Sequence, residues 1–346
     1  DGTGSARSIN NGINFSEEGG MLWIKNRNGN GDHNVFDTIN ILQGAGKALL
    51  PNGTYGLQAY GNNSVNGFNN NGFSIGGSSG NVNESSKTYA SWSFRKAPGF
   101  FDVVTYTGDG ISGKSIAHNL GSVPGMVIVK CTSDSGDWWV WHRSLSGNNY
   151  AIKVNSPDGE TNAALDFWAN TAPTSSVFTV GAWSQVNASG KSYVAYIFAH
   201  DEPVFGTDED ESIIKCGSYT GNGNMTTGTT IDLGFEPQWL MVKRVDANET
   251  VHASFHSWII QDTMRGLNAP PYTSATGYNN LLFANKSSQE GYRGDGINAA
   301  GVGTQFLITP TGFAVHSSLT EFNRSTGTYI YMAIRRPNKP PEDATE

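Results

Sequence analysis

The sequence predicts an all-β protein built from three tandem β-sandwich repeats. Three observations lead to this prediction: short runs of β-branched and aromatic residues between turns, a high content of Gly and Asn, and a set of motifs that occurs three times. Of 346 residues, 43 are glycine and only 15% are charged. Gly and Asn tolerate the positive φ of tight turns, so their abundance favours many short strands.

The predicted strands are short apolar runs bounded by Gly, Asn or Pro. Examples are MVIVK (126–130), WLMVK (239–243) and YVAYIF (193–198). Alternation of apolar and polar residues in VFTVGAWSQV (177–186) is typical of a half-buried strand. HSWIIQDTMRGL (256–267) comes nearest to a helical period, and it predicts a turn or two of helix at most. About 100 residues of such strands favour one sandwich per repeat, whereas three propeller blades would not close a ring.

Four landmarks recur in each repeat in the same order and at nearly fixed spacing. The repeats first show as LGSVPGMVIVK (120–130) and LGFEPQWLMVK (233–243), with a worn copy SEEGGMLWIK at 16–25. The landmarks are the lysines Lys25, Lys130 and Lys243, the aromatic residues Phe36, Trp141 and Phe255, the phenylalanines Phe73, Phe178 and Phe313, and the tyrosines Tyr89, Tyr193 and Tyr329. We therefore expect the lysines at equivalent strand ends and the first aromatic set as equivalent buried residues.

These landmarks divide the chain into repeats at 1–98, 99–206 and 207–346. The opening motif reads YTGDG at 106–110 and YTGNG at 219–223, but the first repeat starts within it, as GTGSARSINNGINF (2–15). We therefore expect the first strand of repeat 1 to be truncated here, with further residues upstream in the parent protein. The third repeat ends in a Pro-rich exit, RRPNKPPEDATE (335–346).

Composition argues against several classes of function. A net charge of −8 does not favour nucleic-acid binding, and no apolar run is long enough to span a membrane. Cys131 and Cys216 are expected to be free thiols. The chain contains no HExxH motif and no GxSxG nucleophile elbow, since the letters GGSSG at 76–80 stand in a Gly- and Ser-rich stretch, so we expect neither an enzyme nor a cofactor. The loops 26–34 and 133–137 carry too few carboxylates for a calcium loop and are more simply hairpin turns, with a structural ion as the alternative.

Two features are candidates for binding. In DWWVWHR (137–143), Trp138 could stack on a sugar beside Asp and Arg, although a core position is the alternative. Repeat 3 also carries 21 extra residues, within 268–305, between its second and third landmarks. A long loop on fixed strands is typical of a recognition surface, while packing on a neighbour is the alternative. Its candidate contact residues are Tyr272, Tyr278, Tyr292, Arg293 and Asp295.

The motifs are specific enough to resemble a known family. The sequence YTGDG…IAHNLGSVPGMVIVK…DWWVWHRSL…PTSSVFTVG…VNASGKSYVAYIFAHDE, followed by SIIKCGSYTGNG…LGFEPQWLMVKR, resembles a domain that recurs in virion structural and tail fibre-like proteins of marine tailed bacteriophages, notably cyanophages. The resemblance covers essentially the whole chain and is strongest over 103–244. It implies concanavalin-like sandwich modules and a place in the virion, and it implies no catalytic or binding residue.

From this resemblance we expect a virion structural protein, either a tail fibre or a fibre on the capsid surface, exposed on the extracellular particle. Tandem sandwiches on short linkers would form an elongated rod. Its expected partners are other virion proteins, further copies of itself, with a trimer favoured, and a host-surface glycan. The alternative is a capsid-decoration or connector protein that binds only virion proteins. A glycan-processing enzyme is the third hypothesis, and it is disfavoured because no pair of catalytic carboxylates stands out.

Overall fold

Short β-strands form the fold, as the sequence predicts. The computed structural model describes residues 1–336 except 42–45, 79–80, 162–165, 207, 247–255, 268–280 and 292–304. Within these residues the protein is all-β, with seven separate sheets and only short helical turns. We describe it as three segments, residues 1–98, 99–206 and 208–336.

The first segment contains eight strands and two one-turn helices. The strands are β1 (Arg7–Asn10), β2 (Gly20–Asn26), β3 (Asn34–Asp37), β4 (Lys47–Ala48), β5 (Gln58–Ala59), β6 (Val65–Asn69), β7 (Gly72–Ile75) and β8 (Tyr89–Arg95), and the helices are α1 (Phe15–Glu18) and α2 (Thr38–Ile41).

The second segment contains seven strands and one such helix. They are β9 (Phe101–Thr107), β10 (Lys114–Ala117), β11 (Pro124–Cys131), β12 (Trp139–His142), β13 (Ile152–Lys153), β14 (Val177–Val180), α3 (Ser184–Asn187) and β15 (Ser192–Ala199).

The third segment contains eight strands among its described residues. They are β16 (Ile214–Thr220), β17 (Thr229–Asp232), β18 (Pro237–Arg244), β19 (Ile259–Asp262), β20 (Leu282–Phe283), β21 (Gln305–Thr309), β22 (Gly312–His316) and β23 (Thr328–Arg335), with a 3-10 turn at Thr263–Arg265.

Each segment has an inner sheet and an outer sheet. The inner sheets have the strand orders β3-β2-β8, β13-β12-β11-β15-β9 and β16-β23-β18-β19-β20, and the outer sheets β1-β7-β6, β10-β14 and β17-β22-β21. A small β4-β5 pair completes the first segment, where Leu49 forms a bridge to Val35 of β3. All of these pairings are antiparallel.

The strand register is the same at equivalent points of the three segments. In the inner sheets, each landmark lysine lies opposite the residue that follows the landmark tyrosine; the pairs are Lys25 and Ala90, Lys130 and Val194, and Lys243 and Ile330. In the outer sheets, each landmark phenylalanine lies opposite an isoleucine; the pairs are Phe73 and Ile9, Phe178 and Ile116, and Phe313 and Ile231. The expected equivalence of the lysines is therefore present in the strand pairing.

One face of each inner sheet packs against its outer sheet. In the first segment, Leu22 and Phe36 share a core with Phe73. In the third segment, Leu240 shares a core with Phe313. Apolar side chains between two sheets are consistent with a β-sandwich, because each sheet buries the apolar side of its alternating pattern.

The other faces of the three inner sheets meet in one shared core. Phe94 of the first segment packs against Phe198 of the second and Trp239 of the third, with ring centroids 5.6 and 5.8 Å apart. All three belong to a single buried cluster, which we call the central core. The expected elongated row of modules is therefore wrong for this chain, since the inner sheets are buried on both faces. Burial on both faces also explains why MVIVK and WLMVK are continuous apolar runs instead of alternating ones.

Hydrogen bonds close the three segments into a ring. The same bond is present at each of three junctions. Its donor is a backbone N–H in the loop that follows β4, β13 or β20. Its acceptor, in the next segment, is the carbonyl of the residue two positions after the landmark lysine. The bonds, each 2.8 Å long, run from Leu57 to Thr132, from Glu160 to Val245 and from Glu290 to Arg27. The third bond joins the last segment to the first, so the arrangement is cyclic.

Candidate functional site

A groove lies between the first and third segments. Its volume is about 510 Å³. One wall is the free edge of β8, and the opposite wall is formed by β18, the end of β19 and its 3-10 turn. The lining residues include Trp92, Phe94, Phe100, Gln238, Trp239 and Ile334. The floor is therefore the rim of the central core, and the groove is the main candidate for a binding site.

An ionic cluster forms one end of the groove. The Arg265 guanidinium donates to Asp262 at 2.6 Å and to Glu290 at 2.9 Å, and Glu290 also pairs with Arg27 at 2.7 Å. Arg265 lies over the Trp92 ring, whose indole N–H donates to Asp262 at 2.9 Å. Two arginines balance two carboxylates, so this cluster is formally neutral. It fixes the loop of Glu290 against the first segment and so positions the groove wall.

The free edge of β8 forms the long wall. Among the described residues β8 pairs with β2 alone, whereas β15 is paired on both sides, with β11 and β9. Hydrogen bonds alternate along an antiparallel strand, so the backbone groups of Tyr89, Ser91 and Ser93 point towards the groove. Across the groove, the buried indole N–H of Trp239 has no hydrogen-bond partner within the described part of the chain. The groove thus presents the outer edge of β8 above an apolar floor.

The landmark lysines are buried at the junctions. Lys243 donates to the carbonyls of His256 and Pro157 at 2.6 and 2.8 Å, and Lys130 donates to Cys131 and Thr54 at 2.9 and 3.3 Å. Burial lowers the pKa of Lys243 to about 7 and that of Lys130 to about 8. Neutral acceptors and low solvent access account for these shifts. Their bonds to the loop of the preceding segment make them junction residues.

The equivalent lysine at the third junction behaves differently. Lys25 is also buried and donates to the carbonyl of Asn26 at 2.6 Å. Burial lowers its pKa to about 8, while the negative charges of Asp32 and Glu290 act in the opposite direction. At this junction Arg27 and Arg265 hold the incoming loop through Glu290.

A buried asparagine holds the opening loop of every segment, and the sequence analysis missed it. Each of these asparagines is fully buried, and its side-chain oxygen accepts a backbone N–H at 3.0 Å from the opening motif; the pairs are Asn83 with Thr3, Asn187 with Asp109 and Asn323 with Asn222. Each side-chain amide also donates to a carbonyl; the acceptors are Gly76, Gly181 and Ser317, at 2.8 to 2.9 Å. The signal was present, because an asparagine stands six residues before each landmark tyrosine.

Trp138 does not lie on the surface as a sugar-binding residue would. Its side chain is only 2% exposed, its indole N–H donates to the carbonyl of Leu50 at 3.0 Å, and its ring stacks on Tyr196. Trp258 occupies the same place at the second junction, where its indole N–H donates to Lys153 at 2.7 Å. The core alternative is therefore correct for Trp138, because this first tryptophan of the run is used to join two segments.

The other predicted contact residues lie outside the described residues. They are Tyr272, Tyr278, Tyr292, Arg293 and Asp295. Their roles therefore stay predictions.

The prediction that the first set of aromatic landmarks is equivalent and buried is only partly confirmed. Phe36 and Trp141 lie opposite Leu22 and Val127 in equivalent registers, and both are buried. Phe255 lies outside the described residues. The residue at this register in the third segment is Gln261, opposite Leu240, and it is buried as well. The alignment that gave Phe255 was therefore wrong by six residues, because it assumed a turn of nearly constant length between the first two inner strands.

Cys131 and Cys216 are both free and buried, which confirms that expectation. No group of three or more His, Cys, Asp or Glu residues within the described ranges is arranged to hold a metal ion. In the hairpin turns, Asp32 accepts from Asn52 at 2.7 Å and Asp134 pairs with Lys191 at 2.8 Å. These carboxylates therefore hold loops. No helix in the part of the chain that the structure describes is long and apolar enough to cross a membrane.

Comparison with protein families assigns the chain to a family. A family model described as a domain of unknown function, DUF7483, matches residues 1–337. The chain belongs to this family. Comparisons with curated proteins and with solved structures gave no match. The match runs through all three segments.

Proposed function

We propose that the chain is a structural protein of a bacteriophage particle, built from three tandem β-sandwich repeats that close into a ring. The observation that carries the repeat assignment is the recurrence of one strand register and one junction bond in all three segments. The place in the virion rests on the resemblance of the repeat motifs to phage structural proteins. Tight burial of polar groups at every junction supports a rigid building block.

The ring changes how such a protein would contribute to a fibre. A row of sandwiches would gain length from each repeat, whereas a ring places the three repeats around one central core. Under this proposal, projection from the particle comes from stacking or from neighbouring segments, and this chain forms a compact unit of the appendage or of the capsid surface.

An architectural role has one observation in its favour over glycan attachment. Trp138, the aromatic candidate for stacking on a sugar, is used inside a junction. The remaining candidates for glycan binding belong to the 268–305 loop, and their contribution is a prediction. We therefore place attachment second and contact with other virion proteins first.

Immunogold electron microscopy of purified particles tests the proposal. An antibody raised against residues 1–336 should label virions at one repeated location, on the tail for a fibre and on the capsid shell for a decoration protein. Mass spectrometry of the same particles should detect the chain at a fixed copy number. If the chain remains in the infected-cell lysate and is missing from purified virions, the proposal is wrong.

Shortening the 268–305 loop separates the two candidate roles. We expect a variant without the 21 extra residues to fold cooperatively, because long loops add little to stability. If the loop binds a host glycan, particles carrying the variant should assemble but fail to adsorb. If it contacts a virion neighbour, assembly itself should fail. Normal assembly together with normal adsorption would show that the loop serves neither role.

A further inference from the structure

His33 occupies, in the first segment, the place that the junction tryptophans take in the other two. Each of these residues stands directly before the second strand of its inner sheet: His33 before β3, Trp138 before β12 and Trp258 before β19. All three are buried. Trp258 donates to the carbonyl of Lys153, the last residue of β13, and His33 faces the carbonyl of Phe283, the last residue of β20. The third junction therefore has a titratable side chain where the other two have an indole.

A hydrogen bond from Trp23 fixes the protonation state of His33. The Trp23 indole N–H donates to His33 Nδ1 at 2.9 Å. An indole nitrogen can only donate, so Nδ1 is unprotonated and the proton of the neutral ring lies on Nε2. Nε2 faces the Phe283 carbonyl without forming a well-aligned hydrogen bond. A proton added at Nδ1 would place two N–H donors against each other, so the closed site accommodates the neutral ring and excludes the charged one.

The surroundings of His33 also oppose a positive charge. Burial lowers the pKa of His33 well below its ordinary value, and the positive charges of Lys25 and Arg265 act in the same direction. The carboxylates at this junction are already engaged, because Asp32 accepts from a neighbouring asparagine at 2.7 Å and Glu290 pairs with Arg265 at 2.9 Å. A protonated His33 would therefore need contact with water, which the closed junction does not allow.

The loop that follows β20, residues 284–290, closes the third junction. It is held to the first segment by two backbone bonds: the Gly31 N–H donates to the Ser287 carbonyl at 2.9 Å, and the Glu290 N–H donates to the Arg27 carbonyl at 2.8 Å. The first and third segments are not consecutive in the sequence. The loop can therefore separate from the first segment without the movement of a covalent linker.

We propose that His33 is a pH-sensitive switch of the third junction, and that its protonation releases the 284–290 loop from the first segment. A charged ring loses the Trp23 bond and gains hydration only when the chain at Phe283 and beyond moves away. In the open form the ring has its ordinary pKa of about 6.5, whereas in the closed form it stays neutral below this value. The closed form is therefore fully stable above about pH 6.5 and loses stability as the pH falls below it.

Hydrogen exchange of the Gly31 amide at about pH 6.5 and about pH 5.0, corrected for the intrinsic pH dependence of exchange, tests this inference. If only the open form takes up the proton, the opening equilibrium constant should rise about fifteenfold over this interval, and the protection of Gly31 should fall by the same factor. Gly136 makes the equivalent bond at the first junction, to Thr54 at 2.7 Å, and should keep its protection. We expect His33→Gln to abolish the acid response. The matched control His118→Gln, which changes a buried histidine of the second segment, should retain it.

Other outcomes would overturn the inference. If His33→Gln keeps the acid response, another group is the sensor. If Gly31 and Gly136 lose protection together, acid loosens the fold as a whole. Nitrogen NMR of the unmodified protein covers the case in which His33→Gln does not fold: the His33 ring should be neutral at about pH 6.5 with its proton on Nε2. A charged ring at that pH, or a proton on Nδ1, would contradict the switch. None of these readouts depends on a role in the virion.

Discussion

Replacing Asn187 by alanine should destabilise the protein more than its small volume suggests. The side-chain oxygen accepts the Asp109 N–H at 3.0 Å, and the side-chain amide donates to the carbonyls of Ile111 and Gly181, both at 2.9 Å. Asn187 is fully buried, so these partners would lose hydrogen bonds without gaining full access to water. At about 1 kcal/mol for each of three bonds, the expected loss is about 3 kcal/mol of unfolding free energy.

Urea denaturation followed by tryptophan fluorescence measures this loss. Asn148→Ala is the matched control, because Asn148 is exposed, and it should change the unfolding free energy by less than about 0.5 kcal/mol. Asn187→Asp keeps the shape and the acceptor but removes both donors and buries a charge, so it should cost at least as much as alanine. A loss below about 1 kcal/mol for Asn187→Ala, or a neutral Asn187→Asp, would refute the assigned role. Asn83→Ala and Asn323→Ala should act in the same direction.

Three further predictions concern the junctions and the thiols. Trp258→Phe removes the 2.7 Å bond to Lys153 but keeps an aromatic ring, so it should cost about 1–2 kcal/mol in urea denaturation, and no change would contradict the junction role. The pKa of Lys243 is about 7 when folded and about 10.4 when unfolded, so the unfolded chain binds more protons between these values and stability rises with pH there, by at most about 1.4 kcal/mol per pH unit. Lys243→Met should flatten this rise between pH 7 and 9, and an unchanged slope would be evidence against the buried charge. Cys131 and Cys216 are buried, so both should react with a thiol reagent only after denaturation, and rapid labelling of the native protein would contradict their burial.

The sequence predicted the strands and the equivalence of the landmark lysines because both depend on local signals. Each landmark lysine closes an apolar run bounded by turn residues, and the spacing to the landmark tyrosine fixes how the two inner strands pair. The third segment shows where this reasoning ends. Its longer turn between the first two inner strands shifted the register, so that Gln261 stands where Phe255 was expected. Spacing cannot detect a change in turn length when the neighbouring residues are also apolar and aromatic.

The ring could not be predicted from the repeats, because a repeat pattern does not contain the contacts between copies. Two residue patterns nevertheless carried the information. The inner strands are apolar at nearly every position, which indicates burial on both faces. Trp138 also stands just before β12, whose two tryptophans, Trp139 and Trp141, already fill the core. Trp138 therefore had to contact a residue beyond its own sandwich. A surplus buried aromatic at a strand start is thus a sign of contact between segments.

The third junction closes the ring without help from chain connectivity, and this explains its different chemistry. Consecutive segments are joined covalently at the first two junctions, where lysine–carbonyl bonds complete the contact. The third junction joins Arg27 and Glu290, which are 263 positions apart in the sequence. Its formation therefore costs the larger entropy of closing a long loop. Charge-assisted bonds from Arg27 and Arg265 to one carboxylate supply the extra stabilisation.

Glu290→Gln should therefore lower the unfolding free energy by about 3 kcal/mol, since it leaves buried Arg265 with one carboxylate partner fewer. Hydrogen exchange should rise at Gly31, whose N–H bonds to the same loop at 2.9 Å, while exchange at the Leu57 amide of the first junction stays unchanged. Equal loosening of both junctions would mean that Glu290 supports the fold as a whole and does not act as the closure of the ring.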